Sequence, residues 1–366
     1  MSVGPEQAES IALHTRISAA RRLGALADER LSGAIDDFFL SEDGRLDERT
    51  RLSLGRVLAA VVQGIETEIR RHAARVLSGR GADAEAEQVL KGHEDVVRRL
   101  SRAGLLRDRA LMDELIAQVR CDLIAEGLPP SIAAPEQASL LVRLADVDDG
   151  VVAGAARGLL AAEARRRAAA EQGGVPSGAL PAERHHQLVW WVAASIREGQ
   201  VTANGDHSGM DRAIVEAAQR SLGGHDEGLR PEAAAARLAS AIDARPDELG
   251  ELLIDALGDR RLLLFIAVLG RAVDLDFDGA RAIVLEPEGD RLWLALRAAG
   301  LDRPTIAQIA LSLADADPRR DIEAFAEDLG AIAAVPVDAA RSALAPLTLH
   351  HDLRLAIDAL AREAGR

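Results

Sequence analysis

Apolar side chains recur every three or four residues along this chain, and that spacing restricts its possible folds more than any other feature. Leu54, Val57, Leu58, Val61, Val62, Ile65 and Ile69 form one series. Leu249, Leu252, Leu253, Ala256 and Leu257 form another, followed by Leu262, Phe265, Ile266, Leu269 and Val273. Leu292, Ala295, Leu296 and Ala299, then Ile306, Ile309, Ala310 and Leu313, continue the pattern. On a helix such residues share one stripe, which must be buried against another element. No convincing period-two alternation accompanies them. Aromatic residues make up 2% of the chain and Tyr is absent. Ala, Leu, Arg and Glu, which lose little side-chain freedom in a helix, take the place of the branched and flat residues that suit sheets. The prediction is an all-α protein.

Breakers separate the stripes at short intervals. Residues 42–44, 78–83 and 128–130 each end a helical block, and Pro135, Pro181, Pro231 and Pro304 sit near helix starts, where a missing N–H costs nothing. Short connections bring successive helices back as antiparallel neighbours. Residues 171–179, rich in Gly and Pro, read as a linker. The expected organisation is an N-terminal helical hairpin region over 1–80, helical pairs over 81–170, the linker, and a C-terminal helical domain over 180–366. Leu140-Leu141-Val142-Arg143-Leu144-Ala145-Asp146 leads through Asp148-Asp149 into residues 151–160, and residues 252–257 lead through Gly258-Asp259 into 262–272. Both read as helix, acidic turn, helix, the pattern of HEAT-like repeats. Stacked antiparallel hairpins, as such a repeat or as an irregular α-solenoid or bundle, are therefore expected.

Charge narrows the function classes. The net charge is -15 and Lys91 is the only lysine. Nucleic-acid binding needs a positive face for the phosphates, so it is not expected. The longest apolar runs, 188–196 and 262–269, fall short of the ~20 residues that span a bilayer. No basic segment followed by an apolar run opens the chain, and a lone Cys121 in an apolar helical pattern fits a reducing compartment. A cytoplasmic location follows.

Candidate chemistry is sparse. Asp274, Asp276, Asp278 and Gly279 begin like a calcium loop, but position twelve is Leu285 and Glu286 falls one place late. The preferred reading is that Asp278 caps a following helix. His207 and His225 lie in acidic loops with Asp206, Asp211, Asp226 and Glu227, a weak pattern for a metal. His72 and His14 lie on a helical hairpin of the kind used in phosphotransfer, but Val76 fills the space a partner would need beside His72. There is no Gly-x-Ser-x-Gly elbow and no Gly-rich loop with a lysine. No catalytic residues, metal or cofactor are assigned.

Leu257-Gly258-Asp259-Arg260-Arg261, continuing through Leu285-Glu286-Pro287-Glu288-Gly289 to residues 296–301, resembles an uncharacterised family of alphaproteobacterial proteins, the domain of unknown function 2336. Leu180-Pro181-Ala182-Glu183-Arg184-His185-His186 and Asp37-Phe38-Phe39-Leu40 carry the same resemblance, which spans most of the chain and weakens across 80–180. It implies an all-α, repeat-like fold in an alphaproteobacterium and brings no activity or catalytic residues.

Trp190 is the sharpest interaction signal. On the helix 181–197, Leu188, Val189, Trp191, Val192 and Ile196 share one side, and Trp190 lies opposite with Glu183, His186, Gln187, Ala194 and Arg197. An aromatic on a polar face suggests packing on a partner. The expected function is a non-enzymatic scaffold or regulator that binds another protein through Trp190, His186 and Arg197. Self-association as a homodimer through Leu54, Val61 and Ile65 is a companion expectation. A signalling component that transfers or senses phosphate is the alternative, and a metal-dependent hydrolase the least favoured.

Overall fold

The computed structural model describes residues 45–92, 95–130, 138–172, 174, 178–200, 207–349, and 353, 354, 356, 357 and 360. The expected first helix, the break at 42–44, His14 and Pro135 lie outside these residues. The chain forms two compact units, residues 1–51 and 52–366. In the described part of the first, Asp47 accepts hydrogen bonds from the Thr50 amide at 2.8 Å and hydroxyl at 2.6 Å.

The described residues form sixteen α-helices and no strands, as the apolar stripes require. In order they are α1 (Glu48–Gly79), α2 (Asp83–Lys91), α3 (Val96–Arg102), α4 (Arg109–Gly127), α5 (Leu140–Ala145), α6 (Gly150–Glu171), α7 (Ala182–Gln200) and α8 (Ser208–Gly223). Then come α9 (Pro231–Ile242), α10 (Pro246–Gly258), α11 (Leu262–Ala272), α12 (Phe277–Val284), α13 (Asp290–Ala298), α14 (Arg303–Ala316), α15 (Ile322–Ala334) and α16 (Val337–Leu344). None of them is long and apolar enough to cross a membrane.

Local chemistry sets the ends. Asp149, Asp302 and Asp321 accept hydrogen bonds from the first free amides of α6, α14 and α15. Pro231 and Pro304 occupy first-turn positions of α9 and α14. Asp276, not Asp278, caps α12: its Oδ1 accepts from the Gly279 amide at 2.7 Å. The helix begins at Phe277, two residues earlier than the acidic pattern suggested, which leaves Asp278 free to pair with Arg281 at 3.0 Å. Asp276→Ala should cost about 1 kcal/mol in chemical denaturation, the value of a lost N-cap.

The core lies around α11. Leu262, Leu264, Phe265, Ile266, Ala267, Val268, Leu269 and Gly270 are all buried, so this helix is covered on every side. It packs on α9, α10, α12 and α4. One apolar cluster runs from Cys121 to Leu344 and joins helices from both sides of residues 171–179. The two similar helix pairs, α5–α6 and α10–α11, hold each other: the Leu140 amide donates to Asp259, Arg143 pairs with Asp255 at 2.5 Å, and Arg261 pairs with Glu163. Helices distant in sequence also meet, α4 packing on both α14 and α11. At the α13 start Gly289 takes a φ of +79°, and the Trp293 ring lies 2.9 Å from where a Cβ would stand. Only glycine fits there.

Arginines close the helix C-termini. Arg157 donates to the Ala145 carbonyl at 2.7 Å, Arg341 to Ala298 at 3.0 Å, Arg297 to Val335 at 2.9 Å, and Arg320 to Val284. Each guanidinium satisfies a carbonyl that the helix leaves unpaired and opposes the negative end of its dipole. Arginine carries five donors in a rigid fork, and lysine cannot reproduce that geometry.

Candidate functional site

Two features stand out: a cleft floored by buried charge, and the outer face of α7. In α4, Glu114 falls in the same register as Leu111, Leu115 and Gln118, so the helix carries a carboxylate into the interior. Glu114 Oε1 accepts from Arg230 at 2.5 Å and Oε2 from Arg281 at 2.7 Å. All three side chains are 8% exposed. The line continues through Glu232, 3.6 Å from Arg230 and 3.3 Å from Arg166, to Asp122, 2.6 Å from Arg166. Burial opposes ionisation of Glu114, but Arg281 and Arg230 together hold its carboxyl below the usual range. The same carboxylate outweighs the burial penalty on Arg281 and keeps it charged.

Above this line opens a cleft of about 720 Å³, between the first half of α4, the start of α7 and the α12–α13 connection. Asp113, Arg120, Glu183, Asp278, Arg281 and Arg291 are among its charged lining residues. Carboxylates and guanidiniums both line the wall, a composition suited to recognising a charged surface of mixed sign.

Beside the cleft, His185 on α7 stacks on His225 of the α8–α9 connection, with ring centroids 4.0 Å apart and planes 11° from parallel. Gly178, at a φ of +83°, allows the close approach of this connection: the Asp226 carbonyl stands 2.8 Å from where its Cβ would be. Burial, then the neighbouring His225, pushes His185 down to about 4. Burial also lowers His225. His225 is thus stacked on His185 rather than grouped with His207, and Asp211 is engaged by Arg197 at 3.0 Å. No cluster of three or more His, Cys, Asp or Glu able to hold a metal occurs among the described residues. Burial raises the Cys121 thiol to about 12. His72 is half-buried on α1, and burial followed by Arg220 and Arg75 lowers its pKa.

The α7 register separates the predicted residues. Leu188, Val189, Val192 and Ile196 are buried, whereas Trp191, expected on the same side, is only half-buried. Trp190 is half-buried, and His186 and Ala194 are exposed. The Trp190 Nε1–H donates to His186 Nε2 at 3.2 Å, and the rings meet edge to face at 6.3 Å. Arg197 is held within the chain by Asp211 and by Glu198 at 2.6 Å. Leu54, Val61 and Ile65 retain 6% exposure each, and Val57 and Leu58 of the same stripe are half-buried.

Sequence reading missed the Glu114–Arg230–Arg281 group and the histidine stack. A glutamate in an apolar register was the available signal for the first. Nothing local pointed to the second.

A family model described as "Uncharacterised protein conserved in bacteria (DUF2336)" matches residues 160–345. No curated protein and no solved structure matches the chain. The matched segment holds α7 to α16, with the histidine stack, the Trp190 face, Arg230 and Arg281. With about half of its length covered in this way, the chain belongs to that uncharacterised bacterial family.

Proposed function

We propose that this protein is a non-enzymatic helical scaffold or regulator, working in the cytoplasm without a cofactor, that binds another protein through the outer face of α7. The observation that carries this reading is Trp190, which stays half-exposed on the side of α7 away from the buried Leu188, Val192 and Ile196. The His186 hydrogen bond fixes the indole in one orientation, so little side-chain freedom is lost on binding. Tryptophans placed in this way dominate protein interfaces. Glu183, on the same stripe, lines the cleft, so a partner seated on Trp190 extends over charges of both signs. The net charge of -15 disfavours a nucleic-acid partner.

The test compares proteins retained by the wild-type chain and by Trp190→Ala in extracts of the native bacterium. The variant should fold normally, as circular dichroism would show, and should bind the recovered partner roughly thirty-fold more weakly, about 2 kcal/mol. Equal retention by both chains would refute the α7 face.

A further inference from the structure

On the far side of the family segment, α6 and α9 enclose an apolar groove of about 710 Å³, lined by Val151, Gly154, Ala155, Ala236, Ser240 and Ala241, with Arg237 at its edge. Val151 is 71% exposed and Val147, in the preceding turn, 39%. Exposed apolar side chains clustered on a groove mark an interaction surface.

Next to the groove, Gly154 and Gly158 follow Gly150 at helical spacing and face outward. Nothing lies within 4 Å of where their Cβ atoms would stand, so no packing inside the chain uses their lack of side chains. Glycine is a poor helix former, and here the fold gains nothing from it. What the glycines supply is a smooth ridge, continued by exposed Ala161, on which another helix backbone can lie closely.

Charge selects the occupant. Exposed Asp146 and Asp148 stand just before the start of α6, and exposed Arg165 and Arg167 stand near its end. Arg165 touches the Leu229 carbonyl of its own chain at 3.4 Å. When two α6 helices cross antiparallel with Gly154 of one on Gly158 of the other, Val151 lies over Ala161. Arg165, on the same face as the two glycines, then falls within a few residues of Asp148 and Asp146 at both ends, within reach of an arginine side chain at 1.5 Å rise per residue. Parallel pairing sets like charges together. We propose that two copies of this chain pair by a two-fold axis through α6, the Gly158–Ala161 ridge of each seated in the α6–α9 groove of the other. Such an interface is self-complementary, as a two-fold requires.

Sedimentation equilibrium of the full chain over a wide concentration range tests this. The wild type should show a reversible dimer. Gly154→Leu with Gly158→Leu should abolish it while helix content and thermal stability hold or rise, because the space around both positions is open. Arg165→Asp should be monomeric, and so should Asp146→Arg with Asp148→Arg. Mixing these two charge variants should restore a dimer, because each end then faces its opposite. Trp190→Ala should leave the dimer intact, which separates this interface from the α7 face. A wild type that stays at the mass of one chain, glycine variants that dimerise as well as wild type, or charge variants that fail to pair on mixing would each overturn the proposal.

Discussion

Glu114→Ala is expected to lower the unfolding free energy by about 3–5 kcal/mol, the cost of removing one partner from a buried charge group. The carboxylate is shared by two guanidiniums that are themselves 8% exposed. Without it, Arg230 keeps only the partly exposed Glu227 at 3.5 Å and the longer approach to Glu232. Arg281 keeps only Asp278, whose side chain is 72% exposed. Arg281 then faces only a water-screened partner and Arg230 only that and the longer contact to buried Glu232, and neither cation can leave without opening α4 from α9 and α12. Glu227→Ala is the control: its side chain is 48% exposed, and its loss should cost within about 1 kcal/mol. Replacing Glu114, Arg230 and Arg281 together by methionine should recover most of the loss, because an apolar group of similar volume has no charge to desolvate. Urea unfolding followed by circular dichroism measures all three variants against wild type. The contribution has a definite pH dependence. Glu114 is held below its ordinary range in the folded chain, so its stabilisation is present above the unfolded value of about 4.3 and disappears as pH falls through the depressed folded value. The gap between wild type and Glu114→Ala should therefore close in strong acid. A cost within about 1 kcal/mol at neutral pH would show that the group does not hold these helices together.

That group also shows where sequence reading ends. Helices were legible because a period near 3.6 records which side of a segment is buried: Ile306, Ile309, Ala310 and Leu313 of α14 are all buried, as are Leu249, Leu253, Ala256 and Leu257 of α10. The stripe read on α11 was too narrow, because that helix is the centre of the core and Leu264, Ala267, Val268 and Gly270 outside the stripe are buried as well. Placing the cap at Asp278 missed by two residues, since several aspartates close together each satisfy the same local rule. Glu114 occupies an apolar register and could have been flagged, but its partners lie 116 and 167 residues away, and no local pattern pairs them. The arginine bias has the same character. As composition it pointed to no role, yet in the fold Arg157, Arg297, Arg320 and Arg341 close helix ends supplied by other parts of the chain. Tertiary contacts of this kind depend on which helices meet, and stripes alone do not encode that.

Mild acid should destabilise the protein through the stacked histidines. Facing the pair are His186 on α7, the Ser221 carbonyl on α8, Asp226 and Glu227 in the α8–α9 connection, Arg230, and the Leu180 backbone. Glu227 and Asp226 favour a charged His225, while burial and Arg230 oppose it, and burial has the largest effect. Both rings are therefore held neutral in the folded chain. Once unfolded, each regains its ordinary value near 6.5 and binds a proton that the folded form refuses. The unfolded state then carries more protons, so stability falls as pH falls. The stabilisation is complete above 6.5 and is lost progressively toward the folded value, about 4 for His185. The slope should stay below the limit of ~1.4 kcal/mol per pH unit for each proton, because water still reaches both imidazoles. His185→Phe keeps an aromatic face on His225 and removes one titrating group, so its melting temperature should change less than that of wild type between pH 6.5 and 4. Proton NMR of the histidine ring signals provides the direct check. A His185 that titrates near 6.5 in the folded protein would remove this account, whereas one still neutral at pH 5 would tie the acid sensitivity of α7, and of the cleft wall that its first turn supplies, to a single pair of rings.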